Sequence, residues 1–377
     1  MMKIILDSQA FNYQKYGGVS RYYTEIFSIL SKKDNLEIIT PWFYTRNIYY
    51  KESVLYNKTQ KQNTFFLELL SKLGISIRKK SKKLNYSRTI NRLNSKDTFD
   101  VFVPTYYDPY FLNLINGKPF VLTVYDMIHE LFPEYFSDAD ELKKNKLLLI
   151  EKAAKIIAVS QNTKKDILTL YPHIDESKIE VIYHGTSIKV NENTEADLPE
   201  NYILYVGSRS DYKNFKFLAD SIKVLLKNNP NLFLVCAGGG KFDKEEIEFI
   251  KSLDLEKQIL QLDFKEHELG YFYKKAKCFV FPSLYEGFGI PVLESMACEC
   301  PVVLGNHSSF PEVAGNAGVY FDVNSKDDLR NKIQSLLENE ALRIEFSLKG
   351  IEQIKRFTWE NAAQQCLDLY KKSVQIN

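Results

Sequence analysis

The chain has 377 residues, of which 50 are lysine or arginine and 48 are aspartate or glutamate, so its formal net charge is only +2. This balance argues against a dedicated nucleic-acid-binding protein, which would carry a local excess of basic residues. With 45% hydrophobic and 26% charged residues, the composition excludes disordered and fibrous proteins, and the length predicts about two or three domains.

The cysteine content and the apolar runs bear on the cellular compartment. The chain has five cysteines, so a disulfide framework is not expected, and a reducing cytoplasm is the predicted compartment. The first apolar run, near Lys3, is too short for a signal peptide and predicts a buried strand instead. No run of about 18 apolar residues occurs, so no membrane-spanning segment is expected.

In chain order, the first half alternates short apolar runs with longer amphipathic stretches. The stretches at residues 20–31 and 139–154 have the period of helices. This alternation favours parallel strands joined by crossover helices. The predicted strands of this half span residues 3–6, 36–40, 101–103, 120–124, 156–159 and 179–182.

A polar stretch at residues 189–201 lacks any apolar period and is predicted to be a linker. After it the alternating pattern starts again. Two successive α/β units of comparable size are therefore the simplest interpretation. The predicted strands of the second half span residues 203–206, 232–237, 259–262, 278–281, 302–304 and 319–321.

Residues 72–96 depart from the overall charge balance, because they contain nine basic residues and no acidic one, directly after an apolar run at 65–70. A basic amphipathic segment can lie on an anionic membrane surface, where each basic side chain contributes about 1 kcal/mol. A solvent-exposed helix or loop explains the same composition equally well.

The most specific motif runs from Glu286 to Glu294 and reads Glu-Gly-Phe-Gly-Ile-Pro-Val-Leu-Glu. It follows a predicted strand, with Gly287 and Gly289 in a turn and Pro291 in the first turn of a helix. Glycines let a ligand approach the backbone closely, and the free N–H groups at a helix start attract an anion. We therefore expect the first carboxylate in the loop and the second about one turn into the helix, within reach of a ribose hydroxyl pair.

This motif resembles the E-x7-E signature of retaining glycosyltransferases of family 4, which have the GT-B fold. The resemblance implies an α/β protein of two Rossmann-like domains facing a cleft. Residues 1–187 would form the acceptor domain, residues 188–358 the nucleotide-sugar domain, and residues 359–377 a helix that crosses back to the N-terminal domain. Further segments that match the family begin at Tyr16, Val159, Tyr183, Tyr205, Cys236 and Ser309.

The resemblance also implies roles for individual residues of the donor site. Glu286 corresponds to the catalytic carboxylate near the transferred sugar, which either stabilises positive charge or hydrogen-bonds sugar hydroxyls. Glu294 corresponds to the ribose-binding carboxylate. Arg209 and Lys213 match the basic pair that binds the donor diphosphate, and Gly18 matches a glycine loop near that diphosphate. Three residues between the two carboxylates complete the predicted donor site, namely Gly287, Phe288 and Gly289.

The N-terminal unit departs from the family pattern in one place. Many relatives have a His-Asp pair where this chain has Tyr125 followed by Asp126, which puts a histidine role at position 125 in doubt. Asp126 still stands at the carboxyl end of a predicted strand, where α/β sheets bind ligands. Asp126 and His129 are therefore the predicted catalytic residues of this unit.

The implied reaction is the transfer of a hexose, mannose or glucose, from a GDP- or UDP-sugar with retained anomeric configuration. The implied acceptor is a glycan or lipid-linked oligosaccharide of bacterial surface polysaccharide synthesis. No cofactor, metal or nucleic acid is expected, and the enzyme would work in the cytoplasm or at the inner face of the plasma membrane. The Asp138-Ala-Asp140 string is interpreted as a helix start with Ser137 as N-cap, not as a metal site. The alternatives are a GT-B sugar-nucleotide epimerase and a catalytically silent donor-binding scaffold.

Overall fold

The computed structural model describes residues 1–42, 44–57, 60–62, 65, 78–194 and 196–375. Part of the predicted basic segment, residues 72–77, lies outside the described residues. Contacts divide the chain into two compact units. The first unit is Met1–His184 together with Trp359–Asn377, and the second unit is Gly185–Thr358.

Parallel strands form the sheet layer of the first unit, in the order β2-β1-β3 and β4-β5-β6. A parallel bridge between Phe102 and Phe120 connects the two groups. The strand positions predicted for this half are confirmed within one residue at each end. In the described part of this unit, β1 to β6 are Met2–Leu6, Leu36–Ile39, Val101–Val103, Val121–Val124, Lys155–Ala158 and Ile179–Val181.

Helices connect the strands of the first unit. The sixth begins at Ala139, but its N-cap residue is Asp138, whose side chain makes no capping hydrogen bond. The prediction of Ser137 as N-cap is therefore wrong, because the first helical turn starts one residue later; Asp140 pairs instead with Lys143 at 2.9 Å. Over the described residues, α1 to α7 are Gln9–Tyr13, Gly18–Leu30, Ile48–Glu52, Arg78–Leu93, Ile128–Leu131, Ala139–Lys152 and Gln161–Leu170.

The second unit has one parallel sheet with the strand order β12-β11-β10-β7-β8-β9. The chain starts in the middle at β7, moves to one edge, and returns to the other side of β7 at β10, which creates the point where α/β sheets bind ligands. The predicted strand positions are again confirmed within one residue. In chain order, β7 to β12 are Tyr202–Val206, Phe233–Ala237, Ile259–Leu262, Cys278–Phe281, Val302–Gly305 and Gly318–Phe321.

Helices lie between the strands of the second unit, whereas the described residues of the predicted linker at 189–201 contain neither helix nor strand. In the described part of this unit, α8 to α14 are Phe215–Asn228, Lys244–Ser252, Leu269–Lys275, Ile290–Ala297, Phe310–Ala314, Lys326–Glu338 and Glu340–Ile354.

The cysteines are buried, and the described helices differ from membrane-spanning ones. All five cysteines are buried free thiols, so the prediction that no disulfide framework forms is confirmed. Within the described ranges, no helix combines the length and the apolar character needed to cross a membrane.

The C-terminal helix α15, Trp359–Gln375, belongs to the first unit and packs against α2. Its buried face carries Trp359, Cys366 and Tyr370. The Tyr22 hydroxyl lies 3.5 Å from the Cys366 sulfur, and the Tyr370 ring centroid lies 6.2 Å from that of Phe27. The apolar face of this helix is therefore part of the first core.

We expect Tyr370→Ala to lower the free energy of unfolding of the first unit by about 3–5 kcal/mol, because it leaves a large cavity in this core. Both tryptophans of the chain, Trp42 and Trp359, lie in that core, so denaturant titration followed by tryptophan fluorescence measures the effect. Gln365→Ala, on the exposed face of the same helix, should change the free energy by less than about 0.5 kcal/mol. Equal effects of both substitutions would contradict the packing of Tyr370 in the first core.

Candidate active site

Three loops meet at the carboxyl end of the second sheet, because β7 and β10 are neighbours and β11 lies beside β10. The Leu284 N–H, after β10, donates to the carbonyl of Tyr212, after β7, at 2.8 Å. The Glu286 N–H donates to Ser308 Oγ, after β11, at 3.1 Å. Segments far apart in the sequence are thus hydrogen-bonded into one site.

Lys213 and Glu286, both predicted site residues, form an ion pair at this position. Their side chains are only 19% and 16% exposed. Burial by itself would lower the pKa of Lys213, but the charge and hydrogen bond of the Glu286 carboxylate, with the neighbouring Tyr212, raise it above its ordinary value. Lys213 is therefore a fixed cation at neutral pH.

The Glu286 loop is held by two serines that sequence reasoning missed. Ser308 Oγ donates to the Glu286 carbonyl at 2.6 Å, and Ser309 Oγ donates to the carbonyls of Glu286 and Phe288, both at 2.9 Å. Ser308 has a φ of 55°, in the left-handed region. Ser309 is the first residue of one of the segments that match the family, and this match is the sequence feature from which its role could have been predicted.

The predicted turn Gly287-Phe288-Gly289 leads directly into α11. Gly289 has a φ of 95°, which a larger residue rarely adopts, and it precedes the first helical residue. Phe288 is buried, with its ring centroid 6.0 Å from that of Phe357. The helix starts as predicted, with Pro291 in its first turn, so its first backbone N–H groups, of the kind that can attract an anion, follow the Glu286 loop directly.

Glu294 lies inside α11, where it is only 4% exposed. Its Oε2 accepts a hydrogen bond from the Tyr273 hydroxyl at 3.3 Å. Burial, followed by the charge of Glu294, raises the pKa of Tyr273 well above its usual range, so this tyrosine remains a donor. Sequence reasoning missed Tyr273, because α10 carries no motif.

Arg209 was predicted to bind the diphosphate together with Lys213, but the structure gives the two side chains different partners. Arg209 Nε donates to Glu246 Oε1 at 2.8 Å. Its Nη1 donates to the Gly238 carbonyl at 3.0 Å and its Nη2 to the Gly240 carbonyl at 2.9 Å. The Arg209 side chain is only 3% exposed. Its hydrogen bonds therefore hold the loop after β8 in place.

That loop, Gly238 to Gly240, has φ angles of 75°, 72° and 77°. A Cβ atom at Gly239 would lie 2.4 Å from the carbonyl oxygen of Gly207 and 2.7 Å from Arg209. Glycine is therefore required here both for the backbone conformation and for the close approach of the two loops. Arg209 and this glycine loop form one structural element beside the site.

In the first unit, Asp126 follows β4 and is fixed by a buried lysine. Lys146 Nζ donates to the Asp126 carbonyl at 3.1 Å and to Glu130 Oε2 at 2.9 Å. Lys146 is fully buried and the Glu130 side chain is 4% exposed, whereas the Asp126 side chain is 32% exposed. The buried pair therefore holds the backbone while the Asp126 carboxylate stays accessible.

His129, the other predicted catalytic residue of this unit, is half-buried in α5. Its ring centroid lies 4.3 Å from that of Phe136. Its Nδ1 is buried without a hydrogen-bond partner in the described part of the chain. Burial lowers the pKa of His129, although Asp126 opposes the shift, so the ring is neutral at pH 7.

Tyr125, where the chain departs from the family pattern, packs inside the first unit. Its ring centroid lies 5.9 Å from that of Tyr22 and 6.2 Å from that of Tyr23. Its backbone N–H donates to the Tyr107 hydroxyl at 3.1 Å. The aromatic ring thus packs against buried tyrosines.

Gly18 is the exposed first residue of α2, and its role near the diphosphate stays a prediction. A Cβ atom on the preceding Gly17 would lie 2.5 Å from the side chain of Gln14. Gln14 Oε1 accepts a hydrogen bond from the Ser20 N–H at 3.0 Å. The absence of a side chain at Gly17 therefore lets the Gln14 side chain cap this helix.

Asp7, directly after β1, is a buried acid that sequence reasoning missed. Its Oδ1 accepts hydrogen bonds from the Tyr110 hydroxyl and the Ser8 N–H, both at 2.6 Å, whereas Oδ2 has no partner among the described residues. Burial raises the pKa of Asp7 to about 6, against the lowering effect of these hydrogen bonds. Asp7 directly follows a predicted buried strand, and this position is the sequence feature from which it could have been predicted as a site residue.

The described residues contain no group of three or more His, Cys, Asp or Glu side chains that could hold a metal ion. Independence from metal remains a prediction, because substrate phosphates can contribute to an ion's coordination.

Two family models match the chain. The model described as Glycosyltransferase Family 4 matches residues 16–190, and the model described as Glycosyl transferases group 1 matches residues 188–353.

Individual proteins show the same similarity. The chain is 28% identical over 282 residues to O-antigen chain mannosyltransferase B of Escherichia coli, covering 71% of this chain and 73% of the relative. It is 29% identical over 214 residues to the O-antigen chain mannosyltransferase RfbU of Salmonella typhimurium, covering 55% of this chain and 59% of the relative, which is less than two thirds.

The crystal structure of Anabaena HepE in complex with UDP-glucose has a TM-score of 0.72 at 17% identity, covering 99% and 100% of the two chains. With two parallel-sheet units, this likeness confirms the predicted GT-B fold.

We expect Arg209→Ala to lower the free energy of unfolding by about 3–5 kcal/mol, because the buried Glu246 carboxylate loses its partner. Lys216→Ala is the matched control, since Lys216 pairs with Glu245 at 45% and 77% side-chain exposure and should contribute less than about 1 kcal/mol. Denaturant titration followed by circular dichroism measures both. A small effect of Arg209→Ala would argue that Arg209 is not needed to hold the glycine loop.

We expect Asp7→Asn to change how stability depends on pH. The pKa of Asp7 is raised from 3.8 to about 6 on folding. The protonated acid therefore contributes to the free energy of unfolding at low pH, and this contribution is lost as pH rises through about 6. Between pH 4 and pH 7, the free energy of unfolding of the wild type should therefore fall by up to about 3 kcal/mol relative to that of Asp7→Asn. Tryptophan-detected unfolding at several pH values measures this. Asp97→Asn, at an exposed acid, should parallel wild type, and a parallel curve for Asp7→Asn would contradict the raised pKa.

Proposed function

Because the chain belongs to glycosyltransferase family 4, with two family models that together match residues 16–353, we propose that it transfers a hexose from a nucleotide-diphosphate sugar to a glycan acceptor in bacterial surface polysaccharide synthesis. The observation that carries this proposal is the Lys213–Glu286 ion pair beside the start of α11. It puts a cation suited to a diphosphate next to a carboxylate suited to a sugar. The names of the mannosyltransferase relatives favour mannose, and the UDP-glucose in HepE makes glucose the second choice.

Lys213 and the N-terminus of α11 would bind the donor diphosphate, to which Gly18 would contribute its backbone N–H. Negative charge grows on the leaving diphosphate as the glycosidic bond breaks, and cations and N–H dipoles already in position stabilise that charge. In the protein by itself Lys213 is paired with Glu286. A bound phosphate would share this ammonium group and leave the carboxylate available to the sugar.

Glu294 would accept hydrogen bonds from the ribose hydroxyls. Its carboxylate is already oriented by the Tyr273 hydroxyl, so little orientational freedom is lost on binding. Gly287, Phe288 and Gly289 would line the donor site between the two carboxylates. The left-handed conformation of Gly289 supports this role, because it sets the direction of the first N–H groups of α11.

The anomeric configuration would be retained through attack on the face from which the diphosphate departs. The acceptor oxygen forms its bond to the anomeric carbon, the bond from that carbon to the phosphate oxygen breaks, and a phosphate oxygen takes the acceptor proton. Glu286 would stabilise the positive charge on the sugar or hydrogen-bond its hydroxyls. Asp126 and the neutral His129 would act on the acceptor, and no metal or further cofactor takes part.

The basic segment supports a site of action at the inner face of the plasma membrane. Within the described part of residues 72–96, Lys83 and Arg88 are exposed on α4. Lys82 is engaged with Tyr13, and Arg92 with Asp97. The exposed basic face would contact anionic lipid headgroups while the acceptor remains lipid-linked.

We expect Glu286→Gln to lower kcat by about 100- to 1,000-fold and Lys213→Ala to lower kcat/KM for the donor by a similar factor, because each removes a group positioned for the transition state. The assay measures GDP release from GDP-mannose and UDP release from UDP-glucose with a lipid-tailed mannose disaccharide as acceptor. NMR of the product reports the anomeric configuration.

Lys216→Ala is the control for loss of a nearby lysine, since its ion pair is exposed, and it should retain wild-type rates. Full transfer by Glu286→Gln would contradict the catalytic role, and an inverted product would contradict retention. Conversion of the donor without transfer to any acceptor would favour the epimerase instead.

A further inference from the structure

The first unit contains a cavity of about 640 Å³, within the range of about 300–1,000 Å³ that is common for small-molecule sites. It is formed by α1, by the loop after β3 and by the start of α6. We call it the tyrosine cavity. Its lining combines three tyrosines and three carboxylates with side-chain amides, and the six residues are Tyr13, Tyr106, Tyr107, Asp108, Asp138 and Glu141.

The tyrosines form one aromatic wall. The Tyr106 ring centroid lies 6.5 Å from that of Tyr13 and 4.8 Å from that of Tyr107. Tyr107 is buried, whereas Tyr13 is 46% exposed at the edge. The negative face of an aromatic ring attracts weakly positive C–H groups, which a pyranose ring presents on its faces. The wall therefore suits a sugar better than a fully apolar ligand.

The carboxylates give the cavity a net negative charge. Asp138 makes no capping hydrogen bond for α6, and Glu141 follows in the first turn of that helix. Asp108 accepts a hydrogen bond from the Tyr86 hydroxyl at 3.0 Å. Among the described residues that line the cavity, none is Lys, Arg or His. Carboxylates accept hydrogen bonds from sugar hydroxyls, but they repel a second anion.

The buried Lys146 beside Tyr107 does not neutralise this charge, because it is already paired with Glu130. Lys146 Nζ lies 5.1 Å from the Tyr107 ring centroid and donates to Glu130 at 2.9 Å. It also donates to the Asp126 carbonyl. Lys82 Nζ lies 4.4 Å from the ring centroid of Tyr13 at the edge of the cavity, but the three carboxylates of the lining outnumber this cation.

The tyrosine cavity borders both segments of the first unit that the proposed reaction uses. Gln14 lines it and accepts a hydrogen bond from the Ser20 N–H, in the first turn after Gly18. Tyr107 lines it and accepts a hydrogen bond from the Tyr125 N–H, one residue before Asp126. A sugar bound here would contact residues that are directly hydrogen-bonded to both segments.

We propose that the tyrosine cavity binds the terminal sugar of the acceptor glycan and selects a neutral sugar over one that carries a carboxylate. The tyrosine wall supplies contact with the sugar ring, and Asp108, Asp138 and Glu141 supply acceptors for its hydroxyls. The identification of this sugar as the acceptor rests on the proposed function. The preference for a neutral pyranoside does not, because it is a property of the cavity itself.

The test compares methyl α-glucoside with methyl α-glucuronide, two pyranosides that differ only in the hydroxymethyl or carboxylate group at C6. Saturation-transfer NMR titrations of the full chain at pH 7.5 give the two affinities. We expect the glucuronide to bind at least about tenfold more weakly, because its charge is close to three carboxylates. Equal affinities, or no binding of either sugar, would overturn the proposal.

Variants on one helix separate the cavity from general surface charge. The double variant Asp138→Asn/Glu141→Gln should strengthen glucuronide binding about tenfold while the glucoside affinity changes little. Asp140→Asn is the matched control, because its side chain is 99% exposed, pairs with Lys143 and does not line the cavity. The same gain in Asp140→Asn would overturn the proposal. Tyr13→Ala should weaken binding of both sugars, and Tyr13→Phe should restore it.

Failure of this inference and failure of the proposed function give different results. If wild type releases no GDP or UDP from either donor but binds the glucoside with the expected preference, the sugar site stands and the transferase proposal fails. If wild type transfers hexose and Tyr13→Ala leaves the KM for the acceptor unchanged, the transferase proposal stands and the tyrosine cavity is not the acceptor site.

Discussion

The parallel direction of the strands within each unit is the constraint on which the rest of the structure depends. Parallel strands are buried on both faces, so polar side chains collect where the strands end. In the second unit, the ends of β7, β10 and β11 bring Lys213, Glu286 and Ser308 into one hydrogen-bonded group. In the first unit, Asp7 and Asp126 stand at the ends of β1 and β4. The fold thus places polar side chains at the carboxyl ends of the strands, although these residues are far apart in the sequence.

Two ion pairs in the second unit show how the same charges serve different purposes. Arg209 uses its planar set of donors on Glu246 and on the carbonyls of the glycine loop, which fixes that loop. Lys213 has a single ammonium group paired with one carboxylate, and an ammonium can exchange partners by rotating its flexible stem. The first pair is therefore suited to structure, and the second to binding a phosphate that arrives later.

The first unit combines buried charge with accessible charge in a similar way. Lys146 and Glu130 are both buried and hold the backbone of Asp126, whose carboxylate remains partly exposed. Asp138 and Glu141 stand at the start of α6, where acids also interact favourably with the helix dipole. Side chains that stabilise a helix end can therefore also define the charge of a neighbouring cavity.

Local features of the sequence were enough to predict the strands of both units within one residue, because a buried parallel strand is a short apolar run. They also indicated the glycine turn between Glu286 and Glu294 and the family. Only the tertiary structure decided that Arg209 pairs with Glu246, that Tyr273 orients Glu294, and that the tyrosines after β3 and the acids of α6 line one cavity. Each of these arrangements joins residues tens of positions apart. A local pattern determines which element forms, whereas the partner of a charge depends on which elements the fold packs side by side.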